Sequence, residues 1–180
     1  MATAPAEGGR PHNLPQFAFK YEQSCHATQA ARLKALPKPA SKVQKMQLEI
    51  TDQDVCPCMA RKIIEVSDQR LAERILDEDK DLDSTFYEPA FQQCSVSVLR
   101  KMALPTCKDD IPKGTLTPAA AQEACQCYSD AVAKLDDAAI RDDAVAAYLN
   151  YEARVKDPTV KPYASKLEAM KGECVRKQKN

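Results

Sequence analysis

The chain has no tryptophan, four glycines among 180 residues, and two histidines, His12 and His26. It contains no glycine-rich phosphate loop, no nucleophile elbow and no zinc-protease helix, so those enzyme classes find no foothold. No apolar run approaches the roughly 20 residues that a membrane-spanning helix requires. β-rich runs are scarce too, which leaves little material for a sheet. No segment joins a basic run to interleaved aromatics, and nucleic acid is not an expected partner. Lys and Arg together number 26, as do Asp and Glu, so the formal net charge is zero, though unevenly placed, with a basic start before an acidic stretch.

What the chain does have is eight cysteines, in two blocks of one pattern. Cys25, Cys56-Pro57-Cys58 and Cys94 form the first block; Cys107, Cys125-Gln126-Cys127 and Cys174 form the second. An even count in a repeated order points to two modules, each closed by two disulfides. The length is enough to bury a real core, so such bonds would add to the fold rather than replace it. Each would contribute roughly 3–4 kcal/mol by restricting the unfolded chain. Cysteines used this way require an oxidising compartment. Met1-Ala2-Thr3-Ala4-Pro5 has neither the basic start nor the apolar stretch of a signal peptide. The chain is therefore expected to be a mature exported form, periplasmic or extracellular, with its leader replaced by Met.

The rest of the composition builds helices: Ala, Lys, Asp, Glu and Gln are abundant. Residues 1–13 read as a disordered leader. Helical spacing runs from Leu14 through Phe17, Tyr21, Cys25, Ala30 and Leu33, and stops at Leu36-Pro37-Lys38-Pro39. Residues 37–50 then read as a Pro-rich linker. Thr51 or Asp54 caps the next helix, which carries Cys56, Ala60, Ile63, Ile64 and Leu71 and leads into the acidic run Asp77 to Asp83. A third helix, starting between Ser84 and Pro89, buries Ala90, Phe91, Cys94, Val98 and Met102 and stops before Pro105. The second module, 108–180, opens on Thr117-Pro118, a capping hydroxyl followed by proline in the first turn. Its middle helix, from about Asp137, turns Ile140, Ala144, Tyr148 and Tyr151 or Val155 to one face. Asp157-Pro158 restarts a last helix carrying Tyr163, Leu167, Met170 and Cys174. The expectation is an all-α protein of about six to seven helices in two tandem stapled modules, 14–107 and 108–180.

Residues two apart on a helix point about 200° apart. Cys125 and Cys127 therefore face different neighbours, as do Cys56 and Cys58 if Pro57 lies in a first turn. A Cys-x-Cys on a helix does not close on itself; it ties two flanking helices to a central one. Lone cysteines on either side become the partners, with two arrangements in each block and four in all.

Two rival uses of the same residues need weighing. The Cys-x-Cys pairs could offer four thiolates to a metal, or Cys56-Pro57 a haem contact, although zinc sites usually use Cys-x-x-Cys and imidazoles are few here. Cys56-Pro57-Cys58 also resembles the Cys-Pro-Cys redox centre of the import oxidoreductases of the mitochondrial intermembrane space, which would imply thiol–disulfide exchange. That family's twin Cys-x9-Cys helices are missing, since twelve residues separate Cys94 from Cys107.

Other groupings have bland readings. Asp77, Asp79, Asp81, Asp83 and Glu88 occupy positions 1, 3, 5, 7 and 12 of a calcium-type loop, but Leu82 stands where the turn glycine belongs. A solvated acidic linker is the expectation. His26 beside Cys25 reads as a surface histidine next to a disulfide, and Asp136-Asp137 and Asp142-Asp143 read as caps and a solvated face. Tyr21, Phe86, Tyr87, Phe91, Tyr128, Tyr148, Tyr151 and Tyr163 fall on or near apolar stripes; any that prove exposed become candidates for partner contact.

The order Cys…Cys-x-Cys…Cys within helices resembles small exported bacterial helical proteins that use this spacing for paired disulfides. The resemblance covers most of residues 25–174, in two copies. It implies a compartment and a fold, and no activity. The expected function is non-catalytic: binding of another protein, or a structural or adaptor role, with no cofactor and no metal.

Overall fold

A computed structural model describes residues 13–179. The expected leader lies outside the described residues except for Asn13, and so does His12. The described residues contain no strand, and the all-α expectation holds. The order is α1 (Leu14–Ala35), α2 (Lys42–Ile50), α3 (Cys56–Ile64), α4 (Gln69–Leu76), α5 (Glu88–Cys94), α6 (Val96–Asp110), α7 (Pro118–Ala133), α8 (Asp137–Lys156) and α9 (Lys166–Lys177). Among the described residues, no helix is long and apolar enough to cross a membrane.

Helices outnumber the expectation for identifiable reasons. The segment read as a Pro-rich linker, 37–50, is irregular only up to Ser41, whose side chain caps α2 by accepting from Gln44 N–H. Beyond the prolines, Lys42-Val-Gln-Lys-Met-Gln-Leu-Glu-Ile holds no helix breaker. Thr51 and Asp54 do not cap a new helix. They lie in a π-turn, Thr51–Val55, that carries α2 directly into α3. A second π-turn, Asp83–Tyr87, leads into α5. Both are followed after one residue by a proline, Pro57 and Pro89. Proline lacks an N–H and its ring clashes with the carbonyl four residues back; a widened turn there accommodates both defects.

Two other helix ends differ from expectation. The helix after Cys94 does not stop before Pro105 but runs through it to Asp110. There the Thr106 hydroxyl donates to the Met102 carbonyl at 2.7 Å, giving the disturbed turn a polar partner. Asp157-Pro158 does not restart a helix: the Asp157 carboxylate instead accepts from Thr159 N–H and hydroxyl, closing a turn. Helix α9 begins at Lys166, capped by Ser165, and Tyr163 lies in the loop before it.

Apolar side chains gather in three groups. Leu14 and Ala18 of α1 pack with Ala60 and Ile63 of α3, Ala72 and Ile75 of α4, and Val66 and Leu82. Val55 and Met59 meet Ala90, Cys94, Val98 and Met102. The third group joins Val96, Ala103 and Cys107 of α6 to Cys125, Tyr128 and Val132 of α7, with Ile140 and Cys174. Helix α6 thus serves two cores with two faces, and the boundary expected at residue 107 falls inside it.

Candidate functional site

Every cysteine of the chain is bonded, within its own block and in chain order. Cys25 joins Cys56, Cys58 joins Cys94, Cys107 joins Cys125, and Cys127 joins Cys174. In both blocks the Cys-x-Cys helix is central, α3 or α7, and its two sulfurs point to different neighbours. Cys56 reaches back to α1 and Cys58 forward to the end of α5; Cys125 reaches back to α6 and Cys127 forward to α9. Cα–Cα separations of 5.5–5.9 Å suit an ordinary disulfide. Of the four arrangements compatible with the sequence, this is one.

These bonds change the standing of both rival readings. Cys56 and Cys58 are bonded to Cys25 and Cys94, not to each other as the two sulfurs of a Cys-Pro-Cys redox centre would be. With every sulfur in a disulfide, neither Cys-x-Cys pair presents the thiolates that metal or haem binding uses.

The acidic run does not form a calcium loop. Arg74 pairs with Asp79 at 2.7 Å, and the other Asp79 oxygen accepts from Asp81 N–H, which together hold that carboxyl below the usual range. Glu78 takes a positive φ of 54°, the sharp turn falling there rather than at Leu82. No three carboxylates of the run converge within ligand distance of one another. Beside the run, Tyr21 and Tyr87 stack with ring centroids 5.8 Å apart. Burial, with Tyr21, Asp83 and Glu78 nearby, pushes the Tyr87 hydroxyl up to about 12.

His26 is more than a surface histidine. Its Nδ1 lies 2.7 Å from Asp52 Oδ1 in the π-turn, and its Nε2 lies 3.7 Å from Glu22 on the preceding turn of α1. The Asp52 hydrogen bond is the main reason its pKa is raised, with Coulomb attraction to Asp52 and Glu22 adding to it. His26, Asp52 and Cys56 bring their ligand atoms within 4.8 Å of one another.

Asp143 departs from its expected solvated face. It is buried, and it reaches from the middle of α8 to the start of α9. There it accepts from Ser165 Oγ at 2.6 Å, Lys166 N–H at 2.8 Å, Leu167 N–H at 3.1 Å and Tyr163 Oη at 3.1 Å. Burial alone would raise its pKa; these donors outweigh burial and lower it. Arg100 of α6 performs the opposite task on α7. Its guanidinium donates to the carbonyls of Val132, Ala133 and Leu135 and to the Asp137 carboxylate. Asp136 caps α8 as expected, accepting from Ala139 N–H.

A cleft of about 670 Å³ is lined by Pro57, Cys58, Arg61, Ser97 and Arg100 among others, with Asp137 at the start of α8. Two of these lining residues, Arg100 and Asp137, pair with each other, and Arg100 is committed to the end of α7.

The largest departure concerns α8. Ile140 is buried, but the stripe expected to continue inward does not: Tyr148, Tyr151 and Val155 are 59%, 64% and 65% exposed. Phe91, expected in the core, is 48% exposed on α5, which packs against α8. Tyr148 donates to Glu152 at 3.1 Å and senses Glu88, one turn before Phe91. The sequence could not reveal this, since an amphipathic stripe reads the same whether or not something covers it.

No known family model matches the chain, and searches of curated proteins and of solved structures return no match. Four disulfides place the protein in an oxidising, non-cytoplasmic environment.

Proposed function

We propose a non-catalytic exported protein of the periplasm or extracellular space that acts by binding another protein, as an adaptor or structural component, through the far half of α8. The observation that carries this reading is the exposed stripe Tyr148, Tyr151 and Val155, joined by Phe91 of α5. Large aromatic side chains held on a rigid helix are the usual anchors of protein interfaces, and each costs free energy while facing water. The cysteines support the same reading, because each is committed to a staple and none is left as a nucleophile.

The partner that suits the face presents an apolar surface with a cation opposite Glu88 and Glu152, which flank Tyr148. The test places a photo-cross-linking residue at Tyr151 and, as a control, at Lys45 on α2, in the native exported protein. The expected result is an adduct of one defined mass at position 151, absent at 45 and abolished by Tyr148→Ser with Val155→Ser. Equal labelling at both positions would overturn the reading. An adduct consisting of a second copy of this chain would overturn the choice of a different partner.

A further inference from the structure

We propose that the thiol form of Cys25 and Cys56, with His26 and Asp52, is a binding site for a zinc-type divalent cation, which the disulfide closes. This goes beyond the partner-binding reading and involves a different face of the molecule. Among the described residues, His26, Asp52 and Cys56 are the one group of three or more metal-ligating side chains whose donor atoms lie within 4.8 Å of each other. Cys25, whose sulfur is bonded to that of Cys56 but is not one of that 4.8 Å group, is the fourth ligand the proposal requires once the bond is open. Two sulfurs, an imidazole nitrogen and a carboxylate oxygen make a four-coordinate set of the kind zinc accepts. Zn–S and Zn–N bonds of about 2.0–2.3 Å place tetrahedral ligand atoms roughly 3.3–3.8 Å apart. The proposal requires side-chain rotation to bring the Cys25 sulfur into the set and to close the remaining distance.

Three further observations support the site. The first is orientation. If Nδ1 binds the metal beside Asp52, Nε2–H faces Glu22, 3.7 Å away in the disulfide form. A carboxylate on the outer nitrogen of a ligating histidine fixes its tautomer and raises its basicity. The second is access: the His26 and Asp52 side chains are partly exposed, which provides an entry path. The third is independent support of the backbone. Leu14 and Ala18 of α1 pack against Ala60 and Ile63 of α3, an apolar contact that does not run through the bond.

The chemistry balances with a dithiol as reductant. The dithiol gives up two electrons and two protons and becomes a disulfide; the Cys25–Cys56 bond breaks, and each sulfur gains a hydrogen. Cation binding then displaces both thiol protons to water. In the forward direction of export, a disulfide-bearing oxidant takes two electrons from the bound thiolates, the S–S bond forms and the cation leaves. The metal form is thus a holding state of the pair before oxidation.

The experiment uses the full chain, reduced under native conditions by a water-soluble phosphine and then freed of reductant under anaerobic conditions. Co²⁺ serves as the spectroscopic probe and Zn²⁺ as the protecting ion. The expected result is one Co²⁺ per chain with thiolate charge-transfer and tetrahedral d–d bands, release of two protons, and Zn²⁺ shielding of Cys25 and Cys56 from alkylation. His26→Gln and Asp52→Asn each weaken Co²⁺ binding roughly tenfold or more. Cys127→Ser with Cys174→Ser leaves binding unchanged. Undiminished alkylation of Cys25 and Cys56, protection that falls on other cysteines, or Co²⁺ affinity unaffected by His26→Gln would each overturn the proposal. The last outcome is also what binding to an unfolded chain would give.

Discussion

Around the first pair of disulfides, α1, α3 and α4 bury Leu14, Ile63 and Ile75 almost completely, and Leu82 closes the same core. Around the second pair, the twenty residues of α8 bury only Ile140 and Asp143, and α9 buries only Cys174. The staple pattern is the same and the support beneath it is different. Helices α1 and α3 would meet without a covalent bond, since fully burying each large apolar side chain is worth roughly 1.5–3 kcal/mol. Helix α9 has little such burial. It is held by Cys127–Cys174, by the Asp143 carboxylate on its first turn and by Lys171, which pairs with Asp110 of α6 at 2.7 Å. Where apolar contact is thin, cross-links and polar caps decide the position of a helix.

That contrast is open to direct attack. Replacing Cys127 and Cys174 together by Ser opens a bond of sequence separation 47 and is expected to cost about 4 kcal/mol. Native-state hydrogen exchange should show α9 amides losing protection while α3 keeps it. The matching change, Cys25→Ser with Cys56→Ser, spans 31 residues and costs nearly as much, yet α1 should remain protected. Equal local loss in both variants would break the comparison.

Ile63→Ala attacks apolar support in the first half. A fully buried isoleucine cut to alanine should cost about 3 kcal/mol by urea denaturation. Asp143→Ala tests polar support in the second and should cost about 2 kcal/mol, because Ser165 and two backbone N–H groups lose their acceptor. The pH dependence has a definite sign. The folded Asp143 pKa is lowered, so its contribution is complete above the unfolded aspartate value and is lost as pH falls through the folded one. Denaturation curves for Asp143→Asn should lack that acid-side loss.

The smallest effect belongs to His26. Its folded pKa is raised, so the stability it contributes is complete below the unfolded histidine value and fades as pH rises through the folded one. Urea midpoints for the native protein and His26→Gln should differ slightly near pH 6 and coincide near pH 9. A gap that widens toward pH 9 would show that the Asp52 pairing does not stabilise the fold.

How much of this was readable from residues alone follows from the range of each interaction. Thr117-Pro118 and Asp136 declared their helix starts because a cap acts within three residues. Ser165-Lys-Leu-Glu168 carried the same kind of signal for α9, a capping box, but the Asp157-Pro158 pair upstream suggested an earlier start. Helix α2 was hidden by Pro37 and Pro39, which do break the chain, though only as far as Ser41. The π-turns before Pro57 and Pro89 depend on bonds reaching back five residues, which no apolar stripe encodes. His26 with Asp52, and Asp143 with the start of α9, lie 26 and 20 to 24 residues apart in sequence and meet only through the fold. The two-sided use of each Cys-x-Cys was legible because helix geometry alone sends the sulfurs different ways.

Disulfide mapping of the unreduced protein, by proteolysis and mass spectrometry, tests the central claim most directly. The account predicts no free thiol and four bonds, Cys25–Cys56, Cys58–Cys94, Cys107–Cys125 and Cys127–Cys174. Free cysteines throughout, or a bond joining Cys25 or Cys94 to the second block, would contradict it.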